Sequence, residues 1–140
     1  MDKNGDIIII EDDPDDRFML EEVFNILDFP NKRRYFDDGA AALEYLESTT
    51  ALPFLILSDV NMPRLGGLEL RRKLHTDANL SLRCIPYLFF STSVDQHAVI
   101  DAYSMSAQGF FVKPVQFEDL KDTIKLIIDY WKKCAAPNNF

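Results

Sequence analysis

The chain has 140 residues, 47% of them hydrophobic, which suits one domain with a true core and leaves little room for a second. Its 15 basic and 23 acidic residues give a formal net charge of −8, which argues against a nucleic-acid-binding surface because phosphate backbones would be repelled. The short basic groups Lys32-Arg33-Arg34 and Arg71-Arg72-Lys73 sit among acids and read as solvated surface.

Ile7 to Ile10 is a continuous apolar run, the pattern of a strand covered on both faces. Asp13 is placed to cap a helix that Pro14 opens, and Leu20, Val23, Phe24 and Leu27 form its single apolar stripe. Arg34-Tyr35-Phe36 is a weaker strand, suited to an edge. Asp37 and Asp38 read as a turn and cap before Gly39, and Ala42, Leu43 and Leu46 give a second helix. Phe54 to Leu57 is the next strand, followed by a helix anchored on Leu70 and Leu74. A strand from Ile85 to Phe90 precedes a fourth helix carrying Val99, Ala102 and Tyr103. A last strand from Phe110 to Val112 leads to a fifth helix with Leu120, Ile124, Ile127, Ile128 and Trp131 on one face.

Strand and helix thus alternate five times. That implies an α/β fold, a doubly wound five-stranded parallel sheet flanked by five helices. The domain is expected over residues 1–132, and residues 133–140, with Pro137 and two asparagines, as a loose tail. Cys84 and Cys134 are far apart and in no metal-ligand spacing, as free thiols in a reducing compartment would be. No stretch resembles a signal peptide or a membrane span, so a cytoplasmic protein is expected.

The polar residues at the end of each apolar run carry the chemistry. Glu11, Asp12 and Asp13 succeed the first, Ser58 and Asp59 the second, Ser91, Thr92 and Ser93 the next, and Lys113 the last. In a parallel sheet all these ends emerge on one edge, where ligands bind at the switch in strand order. Glu11, Asp12 and Asp59 would place three negative charges in one crevice against the single ammonium of Lys113. Like charges a few ångströms apart repel by roughly several kcal/mol at an effective dielectric near 20. A divalent cation would balance the sum. Oxygen ligands without Cys or His favour magnesium, with manganese as a substitute, over zinc.

The segments Ile7-Ile8-Ile9-Ile10-Glu11-Asp12-Asp13-Pro14, Leu57-Ser58-Asp59-Val60-Asn61-Met62-Pro63, Phe90-Ser91-Thr92 and Val112-Lys113-Pro114 together resemble a response-regulator receiver domain of two-component signalling. The resemblance runs from about Asp6 to Trp131 and, more loosely, extends to small stand-alone regulators paired with phytochrome-type kinases. It implies the flavodoxin-like receiver fold and a role for each matching residue. Asp59 is the phosphoacceptor and a ligand of Mg2+. Asp12 is a direct metal ligand, Glu11 acts through a coordinated water, and Asn61 contributes its backbone carbonyl. Ser91 and Lys113 contact the phosphoryl group, Thr92 lines the mouth, and Phe110 holds the aromatic switch position. Lys113-Pro114 is the family's cis peptide, an isomer that costs little before proline. The implied donor is a sensor histidine kinase or a phosphotransfer protein, and the implied output is an unidentified protein target reached through a surface near the fourth and fifth helices. No nucleic-acid or membrane partner is expected, and the state is a monomer or a weak homodimer.

Gly66 stands where the family often has Asp, and Ser106 and Gln108 replace small residues. Two rivals fit less well. An aspartate-nucleophile phosphohydrolase would need a second Asp where Asn61 stands, and a flavin mononucleotide binder would not place Glu11-Asp12-Asp13 in its phosphate loop. His75 and His97 have no ligand partners at useful spacing.

Overall fold

The four isoleucines of β1 (Ile7–Ile10) are each no more than 1% exposed, as the unbroken apolar run requires. The computed structural model describes residues 1–92 and 95–137 and shows why. β1 is paired in parallel on both sides, with β2 (Arg33–Phe36) and with β3 (Leu55–Ser58). β4 (Tyr87–Ser91) adds to β3, and β5 (Gly109–Val112) closes the sheet in the order β2-β1-β3-β4-β5. The expected edge strand at Arg34-Tyr35-Phe36 is that edge.

Alternation along the strands divides the core in two. Ile7, Ile9, Leu55, Leu57, Leu88 and Phe90 face α1 (Pro14–Leu27) and α6 (Phe117–Lys133), meeting Leu20, Val23, Phe24, Leu120, Ile124, Ile127 and Ile128. Ile8, Ile10, Ile56, Tyr87 and Phe89 face the other way, onto α2 (Gly39–Ser48), α3 (Gly67–Thr76), the single turn α4 (Ala78–Ser81) and α5 (Gln96–Ser104). Among the described residues six helices therefore flank the sheet, one more than expected. The addition is α4, a four-residue turn capped by Asp77 and too short to show a period.

Side-chain caps start most helices: Asp13, Asp38, Asp77 and Asp95 each accept backbone N–H groups of the first turn. On α5 the buried positions are Ala98 and Ala102, while Tyr103, expected on the inner face, is 53% exposed. The tail expected from residue 133 is held as far as Pro137: Lys133 is the last residue of α6, and Ala136, 1% exposed, packs into the same core as Met1 and Phe54. Burying that methyl removes apolar surface from water, which the sequence pattern did not signal. The Lys113–Pro114 peptide, expected cis, is trans, as are all peptides of the described residues. The intrinsic preference of an X–Pro bond, about 0.5–1 kcal/mol toward trans, holds here.

Candidate phosphoacceptor site

The order β2-β1-β3 places the switch point between β1 and β3, whose succeeding helices α1 and α3 lie on opposite faces. Glu11, Asp12 and Asp59 leave the two strands there. One carboxylate oxygen from each lies within 4.8 Å of the others. Burial grades them: Glu11 is 2% exposed, Asp59 half-buried, and Asp12 exposed. This is a cluster of hard oxygen donors of the kind that suits a small divalent ion.

Each Asp59 oxygen has its own surroundings. Oδ1 accepts from the Val60 N–H at 2.7 Å and from the Ser91 hydroxyl at 2.8 Å. Oδ2 lies 3.8 Å from Lys113 Nζ. Ser91, the last residue of β4, is fully buried. The Asp59 carbonyl accepts from the Ser58 hydroxyl at 2.8 Å. Gly67, at the start of α3, is pressed against that same carbonyl: a Cβ there would lie 2.1 Å from it, so only glycine allows the approach.

Lys113, 9% exposed, is the cation of the site. Its ammonium donates to Glu11 Oε2 and, at 3.1 Å, to Asp16 Oδ2. Burial alone pulls the ammonium pKa down, but Glu11, Asp59 and Asp16 together carry it above its ordinary value. Burial also pushes the Glu11 carboxyl up, with Asp59 adding to the rise. The Lys113 ammonium and the Asp13 N–H, which donates to Oε1 at 3.1 Å, pull it back only in part. At the effective dielectric of such sites, the 3.8 Å separation of Lys113 and Asp59 is worth roughly 4 kcal/mol of attraction.

Asp16 is a member of the site that its sequence position did not reveal. It lies in the first turn of α1, and its spacing after the Asp13 cap was the available signal. With Asp16 included, four carboxylates face one ammonium, so a dication would still leave one negative charge. Asp16 is 37% exposed and partly screened by water. Asp13 is a cap, as expected, accepting from the N–H groups of Asp15 at 2.8 Å and Asp16 at 3.4 Å. Asn61 and Thr92 are exposed beside the site, and Ser93 falls outside the described residues. Phe110 is half-buried on β5 and stacks on Phe89, with ring centroids 5.6 Å apart.

The family model for the response regulator receiver domain matches residues 7–125, and the chain belongs to that family. It is a receiver domain of two-component response regulators, a phosphoacceptor signalling module. It is 31% identical over 129 residues to the probable methanogenesis regulatory protein FilR2 of Methanothrix harundinacea, covering 89% of this chain and 82% of that one. Two other relatives, also 31% identical, are longer, and the chain spans only 45% and 48% of their lengths. Among solved structures, the phosphorylated cyanobacterial phytochrome response regulator RcpA superposes with a TM-score of 0.86 at 24% identity, over 96% of this chain and 99% of that one. The Mn2+-bound form of response regulator Rcp1 gives 0.83 at 24% identity, over the same shares. Among the described residues no helix is long and apolar enough to cross a membrane.

Proposed function

We propose that the chain acts as the phosphoacceptor domain of a response regulator. In this reading Asp59 takes a phosphoryl group from a phosphohistidine of a sensor histidine kinase or phosphotransfer protein, and the modification switches a protein-interaction surface around α5, β5 and α6. The observation that carries this reading is the meeting of Glu11, Asp12 and Asp59 oxygens within 4.8 Å, with Lys113 against them.

Asp12, Asp59 and the backbone carbonyl of Asn61 would hold Mg2+, or Mn2+ in its place, with Glu11 acting through a water. Both Glu11 oxygens are already engaged by Lys113 and the Asp13 N–H, which favours that indirect role. When bound, the ion neutralises charge on phosphoryl oxygens. The Mn2+-bound Rcp1 structure supports the choice of metal.

Asp59 Oδ2 is the attacking oxygen, since Oδ1 is occupied by Val60 and Ser91. A carboxylate needs no general base, so no catalytic histidine is required. As the Oδ2–P bond forms, the P–N bond to the donor imidazole breaks, and the nitrogen keeps the electron pair. Lys113, held within reach of Oδ2, meets the equatorial oxygens. The Ser91 hydroxyl turns from Asp59 to the new phosphoryl group, and Phe110 moves into the space it vacates. Thr92 lines the mouth and tunes the access of water. Outside the core, Ile100, Tyr103 and Val112 are each more than half exposed, and they form the surface that changes. Phe18 on α1 and Val115, 65% and 90% exposed, give the phosphodonor partner an apolar footing.

We place the protein in the cytoplasm, as a monomer or weak homodimer that acts through a protein target rather than nucleic acid or membrane. Wild type and Asp59→Asn, incubated with magnesium and acetyl phosphate and weighed intact, test the reading. A phosphoryl adduct is expected on wild type alone, and an adduct on both or on neither would sink it.

A further inference from the structure

At the end of the sheet away from Asp59, by the starts of β3, β4 and β5, lies a cavity of about 550 Å³. Its volume falls within the range of small-molecule sites, and Leu46, Leu74, Leu80 and Trp131 supply apolar wall. The fixed charge that lines it is positive. Among the described residues no Asp or Glu lines the cavity, although the chain carries 23 of them, whereas Arg71 does.

Arg71 is the unusual member. Its place in a basic run suggests solvated surface, yet it is only 7% exposed. Its Nε and Nη2 donate to the carbonyls of Met105 and Ser106, at 2.9 and 2.8 Å. Among the described residues no carboxylate pairs with it, and burial lowers its pKa. Buried charges are normally matched by an opposite charge. Two carbonyl dipoles and the face of the Tyr87 ring, 5.7 Å from the guanidinium carbon, offset part of its charge, but they supply no anion and fill only part of its five-donor fork.

We propose that this cavity binds a small apolar carboxylate, its hydrocarbon against Leu46, Leu74, Leu80 and Trp131 and its carboxylate on the free side of the Arg71 guanidinium. The site is separate from the acidic edge and does not depend on the phosphoacceptor reading. A neutral ligand of the same shape would leave the Arg71 charge unmatched, and a cation would be repelled.

Trp131 is the chain's only tryptophan and lines the cavity, so its emission reports occupation directly. The experiment titrates full-length protein with octanoate and, separately, with octan-1-ol, monitoring that emission. Saturable octanoate binding is expected, on the order of tenfold tighter than octan-1-ol. Arg71→Gln is expected to lower octanoate affinity about tenfold and leave octan-1-ol unchanged. Because Arg71 also fastens the segment after α5, a second variant guards against a folding defect. His75→Glu, at an exposed position, adds a negative charge to the wall and is expected to weaken octanoate several-fold without touching octan-1-ol. Equal affinity for the two probes, or octanoate binding indifferent to both substitutions, would overturn the proposal. So would binding that appears only when residues 138–140 are removed, since the chain itself would then be the occupant.

Discussion

Removing the Lys113 ammonium would leave the Glu11 carboxylate, 2% exposed, facing Asp59 with its principal cation gone. Breaking a buried pair costs more than the pair contributes, because the surviving charge stays desolvated. Lys113→Met is therefore expected to lower the free energy of unfolding by about 3 kcal/mol at neutral pH, measured by urea denaturation without divalent metal. The deficit should shrink in acid, since burial already raises the Glu11 pKa and the carboxyl can neutralise itself by taking a proton. In wild type the Lys113 contribution has the sign of a raised ammonium pKa. At the alkaline end it persists up to the ordinary value of 10.5 and is lost as the pH climbs through the higher folded-state value, while the loss in acid comes from protonation of Glu11. An unchanged unfolding midpoint in the variant would mean that Lys113 carries no such load. The residue types at strand ends were legible in the sequence. The engagement of Asp16 was not, because spacing shows that it shares a helical turn with the cap but not which way its carboxylate turns.

At the scale of elements, α1 is tied to the edge strand β2 by Glu21. Its carboxylate accepts from Arg33 at 2.5 and 3.2 Å and from the Tyr35 hydroxyl at 2.6 Å. The Arg33 bond is the largest influence holding the Glu21 pKa below 4.5, with Tyr35 assisting against the opposing effect of burial. A lowered carboxyl pKa stabilises above the unfolded value and loses that contribution as the pH falls through the folded one. Glu21→Gln is thus expected to cost about 1 kcal/mol at pH 7, a figure discounted for the 39% exposure of the side chain. The gap between the two proteins should close as the pH drops below 4.5, and a gap independent of pH would contradict the assignment. Long periodic helices announced their buried faces: Leu20, Val23 and Phe24 on α1, and Leu120, Ile124, Ile127 and Ile128 on α6. The inner face of α5 was obscure. It packs through Ala98 and Ala102, and a stripe of small residues gives little hydrophobic contrast against Tyr103 beside it.

Across the whole molecule, binding of magnesium to the acidic edge should stabilise the folded chain, because the unfolded chain does not hold Glu11, Asp12 and Asp59 together. At a hundredfold excess over its dissociation constant the gain is about 2.7 kcal/mol, a rise of several degrees in Tm by calorimetry. Asp12→Asn is expected to remove most of that rise, and a full rise in the variant would place the ion elsewhere. By itself the sequence determined the alternation of strand and helix, the full burial of Ile7–Ile10 and the set of polar residues at strand ends, since periodicity and local composition are properties of neighbours along the chain. Only the tertiary structure decided that Ala136 packs against the core beside Met1, that Arg71 is buried with no carboxylate paired to it among the described residues, and that Asp16 joins Glu11 and Asp59 around Lys113. Those facts depend on groups distant in the chain meeting in space, as Lys113 and Asp16 do from 97 residues apart, and no local pattern records such encounters.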